Sequence, residues 1–230
     1  MTTQLTTLLT TLDLTVKDTH LIQNSFVHRS YLNESRDFTE SNERLEYLGD
    51  AILEMATSHF LYNTYPDFQE GMLTNMRAAL VRTESLADTA LALGFPKLLL
   101  MSKGEEATGG RQNRSILADT FEAFLGALYL DQGYETCVDL LKKHLFQKAD
   151  LVLKSETYKD NKSLLQEIAQ SRYKATPLYN LISESGPDHD KAFIMQVSIA
   201  DKPYGSGQGK SKQTAQEDAA KNTLEMITHS

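Results

Sequence analysis

Apolar residues recur along the first part of the chain with a period near 3.6, the spacing that sets one side of a helix against a core. Leu5, Leu8, Leu9 and Leu12 start the rhythm and predict an amphipathic opening helix. It returns in Leu45, Leu48, Ile52 and Ala56, and again in Leu117, Phe121, Phe124 and Leu128. No run of alternating β-branched residues breaks it. Stretches rich in polar residues, glycine or proline interrupt at 33–41, 65–67, 94–96 and 103–114, and these read as loops. Helix after helix is therefore expected over 1–153, followed by a short polar linker over 154–161.

Beyond the linker the period changes. Residues 162–171 keep a helical spacing through Leu164, Leu165 and Ile168. Over 192–200, however, Phe193, Met195, Val197 and Ile199 alternate with other residues, the two-residue period of a strand with one buried face. Residues 177–183 and 203–209 read as its neighbours, the latter a weak strand ending in a glycine turn. Helical spacing resumes over 214–228, with Ala215, Ala219, Ala220 and Leu224 facing inward. The order α-β-β-β-α over 162–230 predicts a small α+β layer fold.

Composition narrows the setting. A chain of 230 residues can bury a sizeable core in one large domain or two small ones. Its single cysteine, Cys137, excludes an internal disulfide framework and suits a reducing compartment. The opening segment carries no basic cluster and no long apolar run, so a cytosolic protein without a membrane anchor is expected. The net charge of −8 arises wholly in residues 1–157, where fourteen Lys and Arg face twenty-two Asp and Glu. Residues 158–230 hold nine of each sign. By average composition neither part is an obvious binder of polyanions, so only the local placement of cations could make it one.

The acids themselves are placed in pairs. Glu46 and Asp50 stand at i, i+4, and Asp119 and Glu122 at i, i+3, so each pair shares one face of its helix. For the first helix a solvated acidic face is a sufficient explanation, since Glu43, Glu46, Asp50 and Glu54 all lie opposite the apolar side. The second helix resists it. Asp119 and Glu122 share their side with Ala118, Ala123 and Gly126, residues small enough to admit another helix. Two acids buried there require a cation or raised pKa values. An oxygen-only donor set with no Cys/His cluster suits a hard cation such as Mg²⁺, which can activate water and neutralise charge on a phosphoryl oxygen. Spacing alone leaves the metal centre and the acidic surface both open, and does not say which phosphate ester would be cut.

The segment Asn42 to Ala51, NERLEYLGDA, resembles the signature of the ribonuclease III family of double-stranded-RNA endonucleases. HRSY at 28–31, GMLTNMR at 71–77 and ILADTFEA at 116–123 are similar to further blocks of that family, in the right order. Tyr47 stands where many members have Phe. The resemblance implies an α-helical endonuclease domain acting as a homodimer, each of whose two acidic centres cuts one strand of an RNA duplex. It implies that Glu46, Asp119 and Glu122 hold Mg²⁺, with Mn²⁺ a possible substitute, that Asp50 orients or deprotonates the attacking water, and that Glu122 shares the catalytic role. Products would carry a 5′-phosphate and a 3′-hydroxyl, with a short 3′ overhang. The compact layout implies ribosomal RNA precursor processing, with some messenger and transfer RNA cleavage, and no small-molecule organic cofactor. Glu43 and Glu70 match acidic family positions, with a salt bridge or a dimer contact as an equal alternative. Arg44 is expected to pair with an acid rather than with RNA.

The tail resembles the double-stranded-RNA-binding domain. GPDHDKAF at 186–193 is similar to its strand-joining loop, and GQGKSKQTA at 207–215 to its glycine turn and second helix start. The likeness implies that Lys210 and Lys212 meet phosphates at that helix N-terminus, where the dipole favours anions. Gln166 and Glu167 on the first helix, with His189 in the loop, would face the shallow groove, whose 2′-hydroxyls report duplex shape rather than sequence. Surface filler is the alternative for Gln166, and a loop-stabilising hydrogen bond for His189. Gln213 departs from the pattern, standing where Lys or Arg is usual, so a weaker grip on RNA is expected. Two other classes compete with the enzyme: a catalytically silent RNA-binding scaffold and a helical dimerisation protein. The four intact carboxylates speak against the first, and the glycine-and-lysine segment of the tail against the second.

Overall fold

The computed structural model describes residues 3–34, 36–155, 161–187 and 191–228. They fall in two compact units, Met1–Tyr158 and Lys159–Ser230. The first contains helices α1 (Thr3–Thr11), α2 (Thr19–Asn24), α3 (Glu43–Thr64), α4 (Glu70–Val81), α5 (Thr83–Ala92), α6 (Lys103–Ala107), α7 (Arg114–Gln132), α8 (Tyr134–His144) and α9 (Ala149–Ser155). The second contains α10 (Asn161–Tyr173), β1 (Leu178–Ser185), β2 (Ala192–Ile199), β3 (Lys202–Gly209) and α11 (Lys212–Thr228). Among the described residues no helix is long and apolar enough to cross a membrane.

Helix α7 is the axis of the first unit. Asn113 caps its start by accepting from the Ser115 amide at 2.9 Å. Its apolar side, Leu117, Phe121, Phe124 and Leu128, is wholly buried. Phe124 meets Phe95 edge-on with ring centres 5.3 Å apart, and Phe95 meets Phe26 in the same way at 5.1 Å. The other side is buried as well, because α3 lies directly on it. A Cβ added to Gly49 would fall on the Glu122 carbonyl oxygen, and one added to Gly126 on the Leu45 carbonyl. The two helices therefore touch backbone to backbone, which only glycine at both positions permits. The small side of α7 does admit another helix, and that helix is α3, the other bearer of acids.

In the second unit the sheet order is β1-β2-β3, antiparallel throughout. Met195 stands opposite Leu181 on β1 and Gly207 on β3. Phe193, Met195, Val197 and Ile199 are buried, as their alternation predicts, beneath α10 and α11.

Three local expectations need correction. The loop over 103–114 contains α6 and a 3₁₀ turn at Gly110–Gln112. Ser102 starts α6 by accepting from the Glu105 amide at 3.1 Å, and Gly109, at φ 88°, ends it. At the described ends of the expected linker the chain is helical, since α9 runs to Ser155 and α10 opens at Asn161. Gly207 and Gly209 form no turn. They lie within β3, where an added Cβ would meet the backbone of α11 at Ala219 and Ala215. Their role is close approach of helix to strand, and α11 begins earlier than periodicity suggested, at Lys212.

Candidate metal centre and nucleic-acid interface

The crossing at Gly49 and Gly126 brings the carboxylates together. Glu46 lies one turn before Gly49 on α3, while Asp119 and Glu122 project from the facing turn of α7. Carboxylate oxygens of Glu46, Asp119 and Glu122 all lie within 4.8 Å of one another, and all three side chains are half-buried. Asp50, one turn on from Glu46, is exposed. It stands outside that trio, yet its charge reaches both Glu46 and Glu122.

Electrostatics registers the crowding. Burial, then the charges of Asp50, Asp119, Glu46 and Glu54, push Glu122 up to about 8. Burial raises Glu46 too, helped by Asp119, Glu43 and Asp50. Asp119 is raised by burial, with His28 opposing. Acids this close resist joint ionisation unless positive charge enters. The set fits a hard divalent cation: oxygen donors only, on rigid helices, with surplus negative charge. Oxygens about 2.1 Å from a shared Mg²⁺ stand at most about 4.2 Å apart, so small side-chain rotations would close the set.

A pocket of about 280 Å³ opens beside the trio, lined by His28, Arg29, Asn42, Glu43, Glu46, Ile116 and Asp119. His28 is held by Ser30, whose amide donates to Nδ1 at 3.3 Å and whose hydroxyl lies 2.8 Å from the same nitrogen. Ser30 Oγ in turn accepts from the Ser102 amide at 3.0 Å. With donors converging on Nδ1, the ring proton belongs on Nε2. His28 and Arg29 enter the sequence reading only as part of a motif; nothing local in the sequence predicts that they line a pocket beside the acids.

Glu43 accepts from Ser41 Oγ at 3.0 Å and stands 4.0 Å from Arg29. Glu70 instead lines a separate pocket of about 600 Å³ with Tyr62, Phe68 and Arg77, so the chain does not bring Glu43 and Glu70 to the same cavity. Arg44 pairs with Glu40 at 3.6 Å. Glu54 is answered by Arg77 at 2.8 Å.

In the second unit Gln166, Glu167, Lys210, Lys212 and Gln213 are all exposed. Ser211 caps α11: its hydroxyl accepts from the Thr214 amide at 3.1 Å, while Thr214 Oγ1 accepts from the Ser211 amide at 3.0 Å. Lys212 thus stands on the first turn, its Nζ 6.0 Å from the centre of the Phe193 ring. His189 lies outside the described residues.

Comparison with known proteins bears on this arrangement. The ribonuclease-III-like family model matches residues 18–149, the stretch holding the carboxylate trio, and the double-stranded RNA binding motif matches 161–227. This chain therefore belongs to the ribonuclease III family of enzymes. It is 47% identical to ribonuclease 3 of Oceanobacillus iheyensis over 91% of this chain and 92% of that protein. With ribonuclease 3 of Syntrophobacter fumaroxidans it shares 45% identity, over 91% and 89%. A solved nuclease domain of ribonuclease III from Campylobacter jejuni, described for structural flexibility in a region involved in dimer formation, is similar with a TM-score of 0.57 and 34% identity. It covers 61% of this chain and 94% of its own.

Proposed function

We propose that the protein is a Mg²⁺-dependent endoribonuclease that hydrolyses double-stranded RNA, leaving 5′-phosphate and 3′-hydroxyl ends. The observation that carries this reading is the convergence of Glu46, Asp119 and Glu122 across a glycine crossing, in a chain that also holds a double-stranded RNA binding motif. Those three would hold the metal. A bound Mg²⁺, or Mn²⁺ in its place, supplies charge neutralisation at the phosphoryl oxygens and lowers the pKa of water. Asp50, exposed beside the trio, orients and deprotonates the attacking water. Glu122, protonated at neutral pH without metal, gives up that proton on loading and completes the charge balance.

Residues 162–230 grip the duplex by shape, with Gln166 and His189 toward the shallow groove and Lys210 and Lys212 on phosphates. Residues 1–153 carry the chemistry. The reading includes a homodimer, since a duplex has two strands to cut. Tyr47 is 83% exposed and Tyr62 71% exposed, large surfaces for a monomer to leave in water. Ribosomal RNA precursor processing in the cytoplasm, with some messenger and transfer RNA cleavage, is the proposed duty.

The test is incubation with a long synthetic RNA duplex, with and without Mg²⁺, beside single-stranded RNA and duplex DNA of matched sequence. Cleavage confined to the RNA duplex and abolished by chelation is expected. Equal cutting of single strands, or cutting that survives chelation, would defeat the assignment.

A further inference from the structure

By the resemblance, Gln213 stands where Lys or Arg is usual, and α10 brings a cation to the same end of the unit. Lys162, half-buried on the first turn of α10, donates from Nζ to Gln216 Oε1 on α11 at 2.9 Å. The same ammonium stands 5.3 Å from the centre of the Tyr179 ring. Gln216 lies one turn beyond Lys212, so it shares that residue's side of α11. Gln166 likewise lies one turn beyond Lys162 on α10. At the far end Arg172 Nη1 donates to the Ile227 carbonyl at 3.1 Å. Clipped start to start and end to end, the two helices run in the same direction.

We infer that Lys162 is a phosphate-binding residue of the duplex-RNA face, delivered to the first turns of α11 from α10 and held there by Gln216 and the Tyr179 ring. The inference rests on the double-stranded-RNA reading above. Neither holding partner is an anion. An amide oxygen uses one of three N–H donors, and a ring face attracts the cation without neutralising it. Lys191 of the same unit is the contrast, its charge answered by Glu184 at 2.9 Å. A lysine already steadied also loses less side-chain freedom on meeting a phosphate than one in open solvent.

A tie between two helices would look the same in a static structure but differ in salt dependence. A phosphate contact releases condensed counterions, and a tie releases none. The full chain is titrated with an RNA duplex in EDTA, which suppresses cleavage, at a series of KCl concentrations. Lys162→Gln is expected to lower the magnitude of the slope of log Kobs against log salt by about one, with several-fold weaker binding. Lys162→Arg is expected to keep the slope. Gln216→Glu removes the net charge while preserving the clip, and should lose about one unit of slope even if Lys162→Gln melts early. An unchanged slope in both charge-removing variants overturns the inference, whatever happens to affinity. A wild-type chain with no preference for duplex over single-stranded RNA would instead overturn the RNA-binding reading itself.

Discussion

The two units carry their functional groups in opposite ways. In the first, the acids lie half-buried where α3 and α7 touch at Gly49 and Gly126, and neighbouring carboxylates add to the burial that raises Glu46 and Glu122. In the second, Gln166, Lys210 and Lys212 are exposed, Lys212 standing over an aromatic ring, while half-buried Lys162 crosses from α10 to α11. A metal centre needs oxygens fixed within fractions of an ångström, which backbone contact supplies. A phosphate face needs mobile positive charge at roughly the right place. The difference teaches that rigidity is invested where bonds would be cut, and adaptability where a duplex must be gripped.

The contrast is broken most severely at the chemistry. Asp119→Ala or Glu122→Ala should lower cleavage of an RNA duplex by on the order of a thousandfold, several kcal/mol of barrier, while a gel-shift assay in EDTA shows unchanged retention. If retention fell in step with cleavage, the division of labour between units would be wrong. Next comes the crossing itself. Gly126→Ala must move the Leu45 carbonyl aside, and should cost about 3 kcal/mol in urea unfolding of the first unit. Gly207→Ala makes the same test in the second unit, against α11.

The pH dependence is smaller and more specific. Burial and neighbouring charge hold Glu122 at about 8, against 4.5 for an ordinary glutamate. Between those values the folded, metal-free protein keeps a proton that the unfolded chain has lost, so its stability falls as pH rises through the window. Thermal melts without metal should show this decline, and Glu122→Gln should flatten it. Loading with Mg²⁺ must displace the same proton. Calorimetry at pH 7 in buffers of different ionisation enthalpy should therefore report release of about one proton, with affinity climbing toward pH 8. No proton release would mean either that Glu122 is already ionised at pH 7 or that it is not a ligand, and Glu122→Gln separates the two by its effect on Mg²⁺ affinity. The least effect belongs to the flexible face: Lys212→Ala should reduce the salt slope by about one and leave single-turnover cleavage of pre-bound duplex unchanged.

Much of the fold could be read from local pattern. The alternation of Phe193, Met195, Val197 and Ile199 marks a strand because one face of a pleated strand is buried, and all four side chains are buried. The apolar side of α7 was legible for the same reason. Less legible were features made by contact between distant segments. Ser102 capping α6 is a short-range signal that the glycines of 103–114 obscured. Gly207 and Gly209 look like turn residues because glycine serves both turns and close approach, and only the path of α11 separates the two. The proton held by Glu122 depends on burial, which no single helix confers.

The chain by itself determined which residues share a helix face or a strand face, because those periodicities are properties of a single element. It thereby placed Glu46 with Asp50, and Asp119 with Glu122. The resemblance already grouped Glu46 with the α7 pair, but only the tertiary structure shows the three carboxylates converging, His28 across from Asp119, and Lys162 reaching Gln216. Those outcomes depend on where two backbones meet. At Gly49 and Gly126 they meet because the absence of two Cβ atoms lets the helices close to contact.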